Sequence, residues 1–285
     1  MSQGVRPGAQ PPQGWTPKLV ALDIDGTLVR WVDDVTPREE ITAPVLDAVR
    51  RAHAAGAHVV LASGRSPHGM TPIADLLDLR DAGGEPTRLW IVAANGAVLV
   101  RYPPTEVVHE ETFDASVAVR AVLREHPEAA VAVEDRGRGY RLTAEFPPGE
   151  LSGEMTITSI EDLVAEPVSR VIVRDPGATA DDFVSLTDRL GLHGTDYVVG
   201  WTAWLDLTPV GVSKASGLAH VAAALGVDAE DALAIGDGRN DLEMFAWAGR
   251  SVCMGQAIDE VRAAADVVTG SVDDDGAAAE LGRYF

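Results

Sequence analysis

Short apolar runs alternate with segments of helical periodicity over the first third of the chain, and this alternation constrains the fold more than any other feature. Apolar runs with the length of strands occupy residues 19–22, 59–62 and 89–93. Segments with the periodicity of helices separate them, at residues 43–55 and 72–79. Strands that alternate with helices in this way predict an α/β fold with a doubly wound, parallel, Rossmann-like sheet.

The middle of the chain follows a different pattern. The predicted elements are, in order, a helix at 115–124, strands at 130–134 and 139–144, a helix at 160–165, a strand at 168–174, a helix at 181–190, and strands at 197–199 and 204–207. Short turns join neighbouring strands, as around Gly137, and this favours antiparallel pairing. The segment is therefore predicted to be a separate α+β unit.

The alternating pattern returns after Gly211, with a predicted helix at 214–225 and a predicted strand at 232–235. The α+β unit therefore interrupts the α/β unit. We predict the following division: a flexible tail at residues 1–17, a core built from residues 18–102 and 208–285, and an inserted domain at residues 103–207.

Charge and cysteine content restrict the partners and the compartment. The net charge of −21 argues against nucleic acid and anionic membranes, because these polyanions attract basic surfaces. No apolar run approaches the roughly 20 residues of a membrane span, and residues 1–17 lack the apolar region of a secretory signal. The single cysteine, Cys253, favours a reducing compartment. We expect a cytoplasmic protein, and the sequence leaves its oligomeric state open.

Polar motifs follow the apolar runs or begin a helix. They are residues 23–27 (DIDGT), residues 63–65 (SGR), Lys214 and residues 236–241 (GDGRND). Ligands bind an open parallel sheet beyond the carboxyl ends of its strands, so we expect these motifs to share one site. Carboxylates, a fixed cation and a metal site suit phosphate-ester chemistry.

In this order, the motifs resemble those of the haloacid dehalogenase (HAD) superfamily, and specifically its phosphatases with a type IIB cap, the Cof-like branch. The resemblance extends from Leu19 to the C-terminus and includes residues 94–97 (ANGA), 211–214 (GVSK) and 274–276 (DDG). It implies a Rossmann-like catalytic core, with the inserted α+β segment as a cap domain over the site.

The resemblance implies catalytic roles for three residues. Asp23 would attack phosphorus and form an acyl phosphate, which splits hydrolysis into two easier steps. Asp25 would protonate the leaving oxygen and then deprotonate the attacking water. Lys214 would stabilise the developing negative charge, and it is one of only two lysines, with Lys18, among 23 basic residues.

The resemblance also implies the groups that bind phosphate and metal. The predicted phosphate-binding residues are Gly26, Ser63, Gly64, Lys214 and Asn240. The predicted metal ligands are the carboxylates of Asp23 and Asp237, the backbone carbonyl of Asp25, and Asp241, which could act in the inner or the outer shell. Magnesium suits such an all-oxygen site.

Several of these residues have simpler explanations. Asp23 and Asp25 could belong to an ordinary turn or to a calcium-binding loop. The calcium loop is disfavoured, because it would need further oxygen ligands that the following residues do not supply. Ser63 with Gly64 could form an ordinary turn at a strand end. Asn95 could serve a tight turn or contact substrate, and Arg65 could be a structural cation.

The function predicted from the sequence is a magnesium-dependent phosphatase that hydrolyses small phosphorylated metabolites, sugar phosphates or related phosphomonoesters, through a phosphoaspartate. Two alternatives stay open: a phosphomutase of the phosphomannomutase type, and a non-catalytic regulatory protein that binds a metabolite. Within the cap, the residues predicted to meet substrate are Glu134, Arg141, Trp201 and Trp204.

Overall fold

The computed structural model of the chain describes residues 14–32, 38–147, 149–175, 177–178, 195–199 and 204–285. Within them, the strands are β1 (Leu19–Leu22), β2 (Arg30–Val32), β3 (Arg38–Glu40), β4 (His58–Ala62), β5 (Leu89–Ala93), β6 (Val98–Tyr102), β7 (Glu106–Glu110), β8 (Ala130–Glu134), β9 (Gly139–Leu142), β10 (Glu154–Ile157), β11 (Val171–Arg174), β12 (Thr195–Val199), β13 (Trp204–Pro209), β14 (Ala232–Gly236), β15 (Arg250–Cys253) and β16 (Val267–Val268). The helices are α1 (Ala43–Ala54), α2 (Pro67–Leu77), α3 (Ser116–Glu125), α4 (Ile160–Leu163), α5 (Lys214–Leu225), α6 (Leu242–Trp247), α7 (Asp259–Ala264) and α8 (Gly276–Leu281).

The larger sheet has the described strands in the order β16–β15–β14–β1–β4–β5–β6–β7. The strands from β16 to β5 are parallel, and β6 and β7 add an antiparallel edge. Strand β1 pairs with β14 on one side and β4 on the other, and all four of its residues are buried. A continuous apolar run is expected of a strand that is covered on both faces.

Helices cover both faces of the larger sheet. Val20 and Leu22 of β1 belong to a core cluster with residues of α1, α2 and α8. Leu19 and Ala21 point to the opposite face and belong to a cluster with residues of α5, α6 and α7. The predicted doubly wound α/β fold is therefore confirmed. None of the described helices is both long enough and apolar enough to cross a bilayer.

The smaller sheet has the described strands in the order β10–β9–β8–β11–β13–β12. Its pairs are antiparallel except for β9 with β10, and the hairpin predicted around Gly137 joins β8 to β9. Val131, Val133, Val171 and Leu205 pack on one face, in a cluster with residues of α3 and α4. An α+β unit is thus inserted in the α/β fold, and its other face carries a smaller cluster of Ala132, Tyr140, Leu142 and Ile172, with Phe146 and Leu151 packed against it.

The strand pairing differs in detail from the predicted domain division. Strand β7 pairs with β6 in the larger sheet, beyond the predicted boundary at residue 102. Strand β13 stays in the smaller sheet as far as Pro209, beyond the boundary at residue 207. The division itself stays a prediction. Of the tail predicted at residues 1–17, the described part packs on the core: Trp15 contacts Tyr284 edge to face, with ring centroids 5.5 Å apart.

Helix α2 begins five residues earlier than the helix predicted at 72–79. The Ser66 side chain caps it by accepting a hydrogen bond from the Gly69 backbone N–H. Pro72 lies inside the helix, where it cannot donate to the His68 carbonyl. The Thr71 hydroxyl donates to that carbonyl at 3.0 Å, and this explains why the helix continues through the proline. The helix predicted at 181–190 lies outside the described residues.

Helix α5 packs directly against the turn at Ala94–Gly96. A Cβ at Gly217 would lie 2.6 Å from Val92 Cγ1 and 3.1 Å from Gly96 Cα. Gly96 has a φ of +104° and lies against the Ser213 carbonyl, so a side chain there would collide with the start of α5. These contacts fix the position of the helix that Lys214 begins.

We therefore expect Gly217→Ala to lower the free energy of unfolding by about 1–3 kcal/mol through overpacking, although alanine is the better helix former. Urea unfolding followed by circular dichroism measures the change. Gly282→Ala is the control, since a Cβ there would meet only backbone oxygens, at 3.3 and 3.9 Å. Equal stabilities of Gly217→Ala and the wild type would contradict the close packing of α5.

Candidate active site

The carboxyl ends of β1, β4 and β14 meet at one edge of the larger sheet, below the smaller sheet. A cavity of about 690 Å³ lies between the two sheets. From the larger sheet and its loops, the residues that line it include Asp23, Asp25, Ser63, Gly64, Arg65, Asn95, Asp237 and Asn240. From the smaller sheet, they include Tyr140, Arg170, Ile172 and Asp206. The predicted motifs thus share one site, as expected for an open parallel sheet.

Lys214 is the buried cation of this site. It begins α5 directly after Ser213, whose side chain forms a capping box with Ser216. Its Nζ donates to Asp23 Oδ1 and to Asp241 Oδ1, both at 2.6 Å, and its side chain is fully buried. Burial alone would lower the pKa of Lys214, but the negative charges of Asp23 and Asp241 outweigh it and raise the pKa. The ammonium therefore stays charged.

Three carboxylates crowd together beside this lysine. Oxygens of Asp23, Asp237 and Asp241 all lie within 4.8 Å of one another. Burial, followed by the charge of Asp241, raises the pKa of Asp237 to about 6. Burial also raises the pKa of Asp23 well above its ordinary value, against the opposing effect of Lys214. When all are ionised, one ammonium faces three carboxylates, so the site has surplus negative charge.

The donor set fits a hard divalent cation. It contains only oxygens, it is crowded enough for several to reach one ion, and a cation would offset the surplus charge. Asp241 is already oriented, because its Oδ2 accepts hydrogen bonds from the Asp237 and Gly238 backbone N–H groups at 2.9 and 2.8 Å. The carboxylate of Asp25 is not part of this cluster of side-chain oxygens. Its predicted contribution to the metal site is limited to the backbone carbonyl.

Arg65 holds the Asp25 carboxylate. Its Nε donates to Asp25 Oδ2 at 2.8 Å and its Nη2 to Asp25 Oδ1 at 2.5 Å, in a two-pronged pair. The Nη1 atom of the same guanidinium lies 2.9 Å from Glu39 Oε1 on strand β3. The sequence left the role of Arg65 open, and the structure shows it joining Asp25 to the β2–β3 hairpin.

The remaining predicted residues lie around the same cavity. Gly26 has a φ of +76° and its Cα faces the Asp237 carboxylate, so a side chain there would collide with it. The Ser63 hydroxyl accepts from the Arg65 backbone N–H at 3.1 Å. Asn240 donates from Nδ2 to Asn95 Oδ1 at 3.0 Å, and a Cβ at Gly64 would lie 3.2 Å from the same oxygen. Asn95 is therefore part of the site.

Sequence reasoning missed Gln256. Its Nε2 donates to the Gly26 carbonyl at 2.6 Å and to Asp237 Oδ2 at 3.1 Å, while its Oε1 accepts from the Val272 backbone N–H at 3.0 Å. It ties together two predicted motifs. No pattern marks such a residue, because a glutamine in a loop carries no periodicity or charge signal.

Two of the four cap residues predicted to meet substrate do not line the cavity. Glu134 is buried and does not line the cavity, and burial raises its pKa to about 7. Arg141 donates from Nη1 to the Asp162 carbonyl at 3.0 Å, also away from the cavity. Trp201 lies outside the described residues, as does the side chain of Trp204. The cavity is lined instead by Arg170 and Asp206, two charged residues that lie within apolar runs, a signal that could have identified them.

Comparison with known proteins shows which family this chain resembles in sequence and in fold. The sequence profile of haloacid dehalogenase-like hydrolases matches residues 20–281. A phosphoglycolate phosphatase of Natronomonas pharaonis is 31% identical over 264 residues, covering 93% of this chain and 96% of that protein. The crystal structure of a haloacid dehalogenase-like hydrolase from Bacteroides thetaiotaomicron has a TM-score of 0.76 at 26% identity and covers 94% of this chain and 100% of that one. A HAD subclass IIB sugar phosphatase shares the fold, with a TM-score of 0.74 at 22% identity and coverage of 94% and 98%.

The two lysines form a matched pair for testing the buried cation, since each has an ammonium 2.6 Å from an aspartate. Lys214→Met should lower the free energy of unfolding by about 3–5 kcal/mol at pH 8, because it leaves two buried carboxylates without a cation. Lys18→Met removes a solvent-exposed pair and should change stability little. Urea unfolding of both variants tests this, and equal losses would contradict the role of Lys214.

Proposed function

Because the chain belongs to the family of haloacid dehalogenase-like hydrolases and is a phosphatase of its type IIB, Cof-like branch, we propose that it hydrolyses small phosphorylated metabolites in a magnesium-dependent reaction through a phosphoaspartate on Asp23. The observation that carries the proposal is Lys214, which bonds Asp241 and the cavity-lining Asp23, both at 2.6 Å. The relatives' names specify phosphoglycolate and sugar phosphates. For this chain we propose sugar phosphates or related phosphomonoesters.

The reaction has two steps, both centred on Asp23. First, a carboxylate oxygen of Asp23 forms a bond to phosphorus as the ester P–O bond breaks, and Asp25 gives its proton to the leaving oxygen. Then a water oxygen attacks the phosphorus, Asp25 takes the proton of that water, and the bond between Asp23 and phosphorus breaks. Inorganic phosphate leaves, and both aspartates return to their starting states.

The arrangement around Asp25 supports its role in proton transfer. Its carboxylate lines the same cavity as Asp23, two residues away along the chain. Arg65 bonds both of its oxygens, which orients the ionised carboxylate that takes the proton of water in the second step, and one of these bonds has to open when Asp25 carries a proton in the first step. We propose that Arg65 positions Asp25 towards the leaving oxygen without contacting the phosphoryl group.

The metal site of the proposal consists of the Asp23 and Asp237 carboxylates and the Asp25 backbone carbonyl, with Asp241 as an outer ligand. Bound magnesium would offset the charge of the phosphoryl oxygens and of Asp23 as they approach each other. Gln256 supports this site by holding Asp237 Oδ2 beside the Gly26 carbonyl. Asp241 supports the metal site by accepting hydrogen bonds from the two backbone N–H groups that follow β14.

The phosphoryl group would be held by the loops around Asp23. The Ser63 hydroxyl, the backbone at Gly26 and Gly64, the Lys214 ammonium and the Asn240 amide are the groups proposed to contact it. Asn95 orients the Asn240 amide by accepting a hydrogen bond from it. The smaller sheet would act as a cap that excludes water and binds the leaving group. The cytoplasmic location stays a prediction.

We predict that Asp23→Asn abolishes turnover while the protein stays folded, because the substitution removes the nucleophile but keeps the volume. Asp25→Asn should lower kcat by roughly 10²–10⁴-fold, the loss typical of a general acid–base group. Release of inorganic phosphate from a panel of phosphorylated metabolites measures both effects. The exposed Asp47→Asn on α1 is the matched control and should keep wild-type activity. Near-normal turnover by folded Asp23→Asn would rule out the covalent mechanism, and conversion of the ester to an isomeric phosphate would instead identify a mutase.

We also predict that chelation with EDTA abolishes activity and that magnesium, but not calcium, restores it. Calcium prefers longer bonds and higher coordination, which would misplace Asp23 for attack. Full activity in the chelated protein would contradict the metal assignment.

The affinity for magnesium should fall as the pH drops below about 6. The carboxylate of Asp237 must be ionised to bind the metal, and its pKa in the metal-free protein is about 6, above the ordinary 3.8. Protons therefore compete with magnesium below that pH and not above it. Calorimetric titration at pH 5 to 8 measures the effect. Asp237→Asn should bind magnesium more weakly at pH 8 and lose the part of the pH dependence that Asp237 contributes, while Asp23, whose pKa is also raised, keeps the rest.

A further inference from the structure

The wall of the cavity opposite Asp23 contains a buried ion pair that the catalytic steps do not use. Arg170 donates from Nε to Asp206 Oδ1 at 2.9 Å and from Nη2 to Asp206 Oδ2 at 2.6 Å. Both side chains are about 93% buried, yet both residues line the cavity. A pair buried to this extent is costly to desolvate, so its stabilising effect alone is a weak reason for its presence.

The pair lies on the face of the smaller sheet that is turned towards the larger sheet. Ile172 of β11 is directly opposite Asp206 of β13, and Arg170 lies two residues before Ile172, on the same side. Tyr140 of β9 joins them, with its hydroxyl 3.4 Å from Arg170 Nη1. Together, Tyr140, Arg170 and Asp206 form a polar cluster beside the apolar Ile172.

The charge of this cluster is already balanced. The carboxylate of Asp206 occupies the Nε and Nη2 edge of the guanidinium, so the pair as a whole is neutral. Glu150, which lines the same cavity, is paired with Arg174, whose Nε donates to both carboxylate oxygens, at 3.2 and 3.1 Å. Another carboxyl, Glu134, lies opposite Tyr140 across the β8–β9 hairpin. An anionic group placed in the cavity would therefore meet Asp206 and Glu150, whose arginines are already engaged.

The cluster retains hydrogen-bonding capacity of both kinds. The guanidinium has five N–H donors, of which Asp206 uses only part, and each carboxylate oxygen can accept a further bond. The Tyr140 hydroxyl both donates and accepts. Alcohols match such a surface, because each hydroxyl also donates and accepts, whereas a carboxylate only accepts and adds charge.

We propose that Tyr140, Arg170 and Asp206 select the leaving group by charge, so that the substrates are phosphate monoesters of neutral polyols or sugars, and esters carrying a carboxylate or a second phosphate are rejected. This proposal rests on the phosphatase function proposed above. Asp206 is the determining residue, because its carboxylate cancels the charge that would otherwise attract an anion.

Two substrates of equal length test the proposal. Sorbitol 6-phosphate and 6-phosphogluconate share a six-carbon chain and differ at C1, which is a hydroxymethyl group in the first and a carboxylate in the second. We expect wild-type kcat/KM to favour sorbitol 6-phosphate by about tenfold or more, the scale of an unfavourable buried charge contact. Asp206→Asn keeps the shape but leaves Arg170 charged, and should shift the ratio towards 6-phosphogluconate by about tenfold.

Asp135→Asn is the matched control. It removes a cap carboxylate from an exposed pair with Arg138, at 3.0 Å and away from the cavity, and should leave the ratio unchanged. If Asp206→Asn does not fold, Tyr140→Phe takes its place. It should raise KM for sorbitol 6-phosphate several-fold. A wild-type preference for 6-phosphogluconate overturns the proposal. So does a ratio of the two kcat/KM values that Asp206→Asn leaves unchanged, or a KM for sorbitol 6-phosphate that Tyr140→Phe leaves unchanged.

Calorimetric binding of the same two esters to Asp23→Asn separates this proposal from the phosphatase function. Preferential binding of sorbitol 6-phosphate without turnover by the wild type would reject the phosphatase function and keep the charge selection. Turnover by the wild type without preference between the two esters, in kinetics and in binding, would keep the function and reject the selection.

Discussion

The double ion pair of Lys214 is the interaction on which the site depends. It joins the end of β1 to the turn after β14, through residues that are 191 and 27 positions away along the chain. One fully buried ammonium thereby sets the distance between the proposed nucleophile and the segment that would hold the metal. The close contact of Gly217 with Gly96 fixes the helix that carries this ammonium, so packing in the core determines geometry in the site. Lys214 and the helix it begins therefore serve both the stability of the fold and the geometry of the site.

The acidic cluster shows that this geometry has an energetic cost. Asp237 has a pKa of about 6, against an ordinary 3.8, and burial is the first cause. A carboxyl group whose pKa is raised in the folded state destabilises that state at every pH at which it is ionised in both states. The metal-free protein therefore carries a destabilising contribution from its own site above pH 6. A cation bound there would remove this contribution, which links metal binding to the stability of the fold.

Much of the fold could be predicted from the sequence, because buried parallel strands are continuous apolar runs. β1, β4, β5 and β14 are such runs, and the polar residues after them reach the site. The start of α2 was missed, since the capping of Ser66 and the tolerance of Pro72 depend on side-chain contacts that periodicity does not reveal. Gln256 and the pair of Arg170 with Asp206 were missed for a related reason. Their roles arise from partners distant in sequence, at 230 and 36 positions.

The short connection between the two sheets has a mechanical consequence. Strand β13, which carries Asp206, ends at Pro209, and α5 begins at Lys214. Residues 210–213 are thus the whole tether on this side, and Gly211 within it has a φ of +77°. On this side of the molecule, any rotation of the smaller sheet against the larger one would have to be absorbed by these four residues. The strand that carries Asp206 and the helix that Lys214 begins are therefore coupled along the chain through four residues only.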